Sequence, residues 1–187
     1  MDETSKRQWL DAVAELLSRA HAVQADRIAE LVADVLRPLA VEPTVYLVDH
    51  EQRMLRAVPA DGKPAGDPLP VDGSLPGRVF ASVRSLASSD GAGSERLWTP
   101  MVNGTERLGV IAFTLPQRFG VDDPEVWEQC ALLAGTTGHL VTSKLPYGDT
   151  LRQLRRSRSM SVAAELVWQL LPPLTFSSER MAVSAIL

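Results

Sequence analysis

Residues 96–115 read RLWTPMVNGTERLGVIAFTL, and this stretch decides the fold. Two runs rich in apolar, aromatic and β-branched side chains flank Asn103-Gly104, a dipeptide that accepts the positive φ of a tight hairpin turn. The stretch therefore predicts two antiparallel strands. Immediately upstream, SLAS at 85–88 gives a brief strand and SDGAGS a flexible connection. Further back, SLPGRVFASV at 74–83 predicts a short helix with Ser74 as its N-cap and Pro76 in the first turn. Residues 60–74, ADGKPAGDPLPVDGS, are too dense in Pro and Gly for more than one short extended piece. Before them, TVYLVD and RMLRAVP form a second hairpin around the polar turn DHEQ.

Helices enclose these strands in sequence. Trp9, Leu10, Val13, Leu16 and Leu17 recur at helical spacing and predict one apolar stripe. Ile28, Leu31, Val32, Val35 and Leu36 mark a second helix, which Pro38 ends or kinks. After the central hairpin, DDPEVWEQCALLAGTTGHLVTS starts with an aspartate cap and Pro124, and presents Val126, Trp127, Cys130, Leu133, Ala134 and Val141 on one face. Strands joined as hairpins make the sheet antiparallel, and the long helices must cover it, so the class is α+β.

Composition sets outer bounds. The 187 residues are 45% hydrophobic and 22% charged with a net charge of -4, which suits a folded domain and argues against a dedicated nucleic-acid binder. One cysteine, Cys130, excludes an internal disulfide and any multi-cysteine zinc site. His21, His50 and His139 share no ligand spacing, so no metal centre is expected. The N-terminus lacks the apolar core of a signal peptide, and no run approaches the ~18 apolar residues of a membrane helix. The expected location is the cytoplasm, away from membranes.

The body, from Gln8 to Ser143, resembles a GAF domain, a small-molecule sensor module. The resemblance is carried by VYLVDHEQRMLRAV, VDGSLPGRVFASVRSLASSD and LWTPMVNGTERLGVIAFTLPQRFGVDDPEVWEQCALLAGTTGHLV. It implies a five- or six-stranded antiparallel sheet with helices on one face, often paired with a second copy, and a pocket on the other. The short helix flanks that pocket in the family, which makes Arg78 a candidate to favour an anion. Phe80, Trp98, Met101 and Phe113 are candidates to line it, although core packing explains them equally well. Neither the Asn-Lys-Phe-Asp-Glu string of cyclic-nucleotide binders nor a bilin-attaching cysteine context is present.

The tail differs in character. From Lys144 onward there are 6 basic and 3 acidic residues, against 13 and 20 before it. Leu151 and Leu154 among Arg152, Arg155, Arg156 and Arg158 predict a basic helix with a narrow apolar stripe. Val162, Leu166, Trp168, Leu170 and Leu171 then belong to a helix apolar nearly all round, which must bury itself against a partner. Pro172-Pro173 stop that helix, and MAVSAIL reads as a strand with no neighbour in sequence. AAELVWQLLPPL with MAVSAIL resembles the entry to SpoIIE-type phosphatases of the protein phosphatase 2C family. That resemblance implies a manganese- or magnesium-dependent serine/threonine phosphatase domain whose metal-binding aspartates lie beyond Leu187, so this chain is expected to be inactive and to carry no cofactor.

The expected organisation is an N-terminal helix at 1–22, a GAF domain at 23–144, a linker helix at 145–172 and the start of a phosphatase domain at 173–187. The expected role is a homodimeric sensor that answers an unknown small ligand or regulatory protein, through helix pairing with coiled-coil character. The alternative is a stand-alone dimerising adaptor that binds nothing small. Cys130 as the nucleophile of a sulfoxide reductase is the third possibility, against which its place on an apolar helix face argues.

Overall fold

The computed structural model describes residues 1–60, 66–89 and 95–156, together with Val167, Leu170, 175–177 and 182–184. Six strands form one antiparallel sheet: β1 (Glu42–Val48), β2 (Met54–Ala57), β3 (Leu69–Pro70), β4 (Leu86–Ser89), β5 (Glu95–Asn103) and β6 (Glu106–Leu115). Their order is β3-β2-β1-β6-β5-β4, so the hairpin of residues 96–115 supplies the centre. Gly104 adopts φ 59 at the β5–β6 turn, where a side chain would be strained. Asp49 closes the other hairpin: its Oδ1 accepts from the N–H groups of Arg53 at 2.9 Å and Met54 at 3.3 Å.

Helices α1 (Glu3–Ala20), α2 (Ile28–Leu36) and α4 (Pro124–Lys144) cover one face. The predicted caps are in place. Ser74 Oγ accepts from Gly77 N–H at 3.0 Å to open α3 (Leu75–Ser82), and Asp123 Oδ1 accepts from Glu125 N–H at 2.9 Å to open α4. Alternation sorts the strands: Leu97, Met101, Ile111 and Phe113 face the helices, while Trp98, Val110 and Ala112 face the other way.

The first helix departs from expectation. Its five apolar residues do not form one buried stripe. Trp9 and Leu16 are buried with Ala12 and Ala20, whereas Leu10 and Leu17 are 57% and 52% exposed. Helical period shows that a face is apolar, and it does not say which of two adjacent stripes meets the sheet. Two glycines of α4, Gly135 and Gly138, differ in what surrounds them. A Cβ on Gly138 would come within 2.6 Å of the Val102 carbonyl oxygen, so that glycine lets α4 lie close on β5; Gly135 faces open space.

Past α4 the chain doubles back through Pro146 into α5 (Asp149–Leu154). Leu151 is fully buried in the same core as Trp9 and Phe113. The Arg152 guanidinium donates to the carbonyls of Leu145 and Pro146, at 3.1 and 2.6 Å. Arg155 spans two hairpin tips: its carbonyl accepts from His50 N–H at 2.8 Å, and its Nη2 lies 3.6 Å from Glu106. Arg152 and Arg155 therefore fasten this segment down.

Of the tail helix, Val167 and Leu170 are helical and 57% and 84% exposed; Val162, Leu166, Trp168 and Leu171 lie outside the described residues. The strand predicted in MAVSAIL is not without a neighbour. Ala182–Ser184 (β8) pairs antiparallel with Thr175–Ser177 (β7). Among the described residues no helix is long and apolar enough to cross a membrane.

Candidate functional site

Among the described residues, α3 covers part of the sheet face opposite the long helices. Beneath α3, Val79 and Phe80 pack with Val48, Leu55, Trp98, Val110 and Ala112 into a second, smaller core. Arg107 fixes α3 there: it is 5% exposed, donates from Nη1 to Ala81 O at 3.0 Å, and lies 5.1 Å over the Phe80 ring. Loss of hydration pulls its pKa down. Trp98 is held by its indole N–H, which donates to Ser88 Oγ at 3.1 Å.

Beside this core the floor turns polar. Strand register sets Glu42 opposite Thr114, and Thr114 opposite Arg96, in one row across β1, β6 and β5. The next row is Thr44, Ala112 and Trp98, and Tyr46 follows two residues along β1. β2 pairs with β1 only along Tyr46–Val48, and the Val58 N–H donates to the Val45 carbonyl at 2.8 Å; from Glu42 to Thr44 this edge of β1 has no strand partner among the described residues. There a cavity of about 720 Å³ opens, bounded by Glu42, Thr44, Tyr46, Pro59, Arg96 and Thr114 among others.

Two aromatic rings and a cation cluster beside it. The Tyr46 and Trp98 rings are 5.8 Å apart, and the Arg96 guanidinium carbon lies 5.6 Å from the Trp98 ring centre. Arg96 is half-buried, and among the described residues it has no carboxylate within ion-pair distance. Burial pushes the Tyr46 phenol up, and the nearby Arg96 charge opposes that shift. The phenol is thus protonated at neutral pH and available as a donor.

The sheet separates the five residues that the sequence singles out. Met101 and Phe113 are fully buried on the helix side, Phe80 and Trp98 lie on the opposite face, and Arg78 is exposed on α3. None of them lines the cavity, although Trp98 supports Arg96 from beneath. The polar floor of Glu42, Thr44, Tyr46, Arg96 and Thr114 was not singled out. The signal for it is a polar residue at one parity on each of three strands, and it becomes visible only when the strands are set in register.

Cys130 sits on the other side of the sheet, fully buried in the helix-side core, where desolvation pushes its thiol well above the ordinary range. A thiol that is neither ionised nor accessible is a poor nucleophile. Native protein is expected to show no reaction with a disulfide reagent such as DTNB at pH 8 within minutes, and one thiol per chain after addition of guanidinium. Rapid labelling of the folded protein would contradict this placement.

No family model and no curated protein matches the chain. Solved structures do. The GAF domain of an Acinetobacter phosphoenolpyruvate-protein phosphotransferase superposes with a TM-score of 0.61 at 13% identity, covering 80% of this chain and 99% of its own. Free methionine-R-sulfoxide reductase from Neisseria meningitidis, in complex with its substrate, gives a TM-score of 0.59 at 16% identity, with coverage of 75% and 92%. Residues 122 to 287 of a methyl-accepting chemotaxis protein give 0.54 at 20%, with 72% and 98%. At these identities the likeness is one of fold: the chain has a GAF-like α+β architecture.

Proposed function

We propose that a GAF-like fold with an open, polar-floored cavity makes this chain the sensor and dimerisation module of a cytoplasmic signalling serine/threonine phosphatase. The observation that carries the sensor reading is the cavity of about 720 Å³ at the edge of β1, beside Tyr46 and Arg96 and bounded on its other side by Ala29 and Ala33 of α2. A domain kept only for packing has no need of a half-buried cation without an ionic partner at such a place.

Pairing of two chains is supported by the helix surfaces. Leu10 and Leu17 on α1 and Leu132 on α4 are 57%, 52% and 47% exposed. Fully burying a leucine side chain gains about 1.5–3 kcal/mol, so a second copy seated on these helices recovers a sizeable fraction of that. The link to a phosphatase rests on the QLLPP run at 169–173 and its resemblance to SpoIIE-type enzymes. The catalytic aspartates and their manganese or magnesium would lie in residues following Leu187. A ligand then acts by favouring one helix arrangement over another, and it shifts the equilibrium only as far as its affinities for the two differ.

A reductase role like that of the Neisseria protein is disfavoured by Cys130, the single cysteine, buried away from the cavity. The deciding experiment combines sedimentation velocity of residues 1–187 with thermal melts against metabolites and nucleotides. A dimer with a shift of several degrees for one ligand class is the expected result. A dimer with no shift for any compound replaces the sensor with an adaptor, and a monomer removes the pairing. A gene without a Gly-Gly-Asp motif downstream removes the phosphatase.

A further inference from the structure

We infer that the cavity binds a small organic monocarboxylate, held by a charge-assisted hydrogen-bond pair from Arg96, with its flat or apolar body along Tyr46. This rests on the sensor reading above and names the chemistry of that site.

Arg96 is the only Lys or Arg among the described residues lining the cavity that lacks a carboxylate partner; the other, Arg37, is paired with Asp34. Its guanidinium is oriented by stacking on Trp98, which is itself pinned to Ser88. A planar fork fixed in this way matches the two oxygens of a carboxylate, and little side-chain freedom remains to be lost on binding. The rest of the floor offers hydroxyls: Tyr46, Thr44 and Thr114. The wall contributed by Pro59, Ala57 and Ala60 is apolar and suits a hydrocarbon or aromatic body.

Charge balance selects the class. Glu42 lies two strands from Arg96 in the same row, so the described residues of the floor carry one unpaired cation and one anion. Among the described lining residues a dianionic phosphate finds one unpaired guanidinium, a second already neutralised by Asp34, and a carboxylate, a poor match for two charges. A monocarboxylate needs just the one fork.

Isothermal titration with benzoate and indole-3-carboxylate, against benzamide and inorganic phosphate, tests this on residues 1–187. Both acids are expected to bind in preference to benzamide and phosphate. Arg96→Gln should weaken them about tenfold or more, as expected for loss of a charged hydrogen-bond pair. Arg96→Lys, which keeps charge without the fork, should fall between. Arg78→Ala, on the exposed side of α3, should bind as the parent does. Unchanged melting temperatures of the unliganded variants show that the fold is intact; if Arg96→Gln melts early, Arg96→Lys carries the comparison. Equal binding of benzamide, or binding untouched by Arg96→Gln, overturns the carboxylate assignment and leaves a sensor for neutral ligands. Preference for phosphate overturns it in favour of a phosphorylated ligand. Absence of heat for all four probes overturns the assignment, and the sensor reading itself stands or falls separately, on the wider thermal screen.

Discussion

Gly109→Ala is expected to destabilise the domain by about 4 kcal/mol or more, at the far end of what single substitutions do. A Cβ at this position would lie 1.9 Å from the Tyr46 carbonyl oxygen and 2.9 Å from its carbon. Those atoms belong to β1, which is paired with β2 on one side and β6 on the other, so they cannot retreat without parting strands. Total stability of a domain this size is about 5–15 kcal/mol, so the loss is a large share of it. Urea unfolding followed by far-UV circular dichroism should show a much lower midpoint. Other glycines set the scale. Gly104→Ala meets open space and costs only the left-handed backbone, about 1–2 kcal/mol. Gly135→Ala, on α4 with nothing near it, should raise stability by up to about 1 kcal/mol. A near-normal midpoint for Gly109→Ala would mean that β1 and β6 do not pair in this register.

That register also explains what the amino-acid sequence disclosed and what it withheld. The β5–β6 hairpin and the caps at Ser74 and Asp123 are local: a few adjacent residues determine each, and the caps appear where expected, while the turn falls one residue along, at Gly104-Thr105, with Asn103 still paired to Glu106. Which stripe of α1 turns inward is not local. Leu10 and Leu17 are as apolar as Leu16, and only the neighbouring sheet and α4 decide between them. The candidate site is less local still. Glu42, Thr114 and Arg96 are far apart in sequence and meet because two strand pairings align them. A reading that searches for large apolar residues finds Phe113 and passes over Thr114, one position along, which faces the cavity. A shift of one residue exchanges the faces of a strand, so choosing pocket residues without register is close to choosing a face at random.

Trp9→Ala is expected to cost about 3–5 kcal/mol, the range for emptying a buried aromatic site. Trp9 is fully buried, and its ring centre lies 5.9 Å from that of Phe119, which closes the turn leading toward α4. Helix α1 is also tied to the start of α4 by ionic contacts: the Met1 amino group lies 2.9 Å from Asp123, and Lys6 Nζ lies 2.6 Å from Glu125. These contacts lie at the surface, only partly buried, and contribute little beside the indole. Trp9→Phe separates packing from hydrogen bonding. The indole N–H has no partner among the described residues, so its removal leaves no acceptor stranded and the loss should be well under half that of alanine. If alanine costs as little as phenylalanine, α1 is an appendage to the sheet. If it costs the full amount, α1 is part of the same cooperative unit as the cavity floor, because Trp9 shares a core with Val45 and Phe113, the helix-side neighbours of Thr44, Tyr46 and Thr114 along β1 and β6. A partner bound on the exposed leucines of α1 then presses on the very sheet that holds Arg96, and the route from cavity to helix surface is one layer of side chains thick.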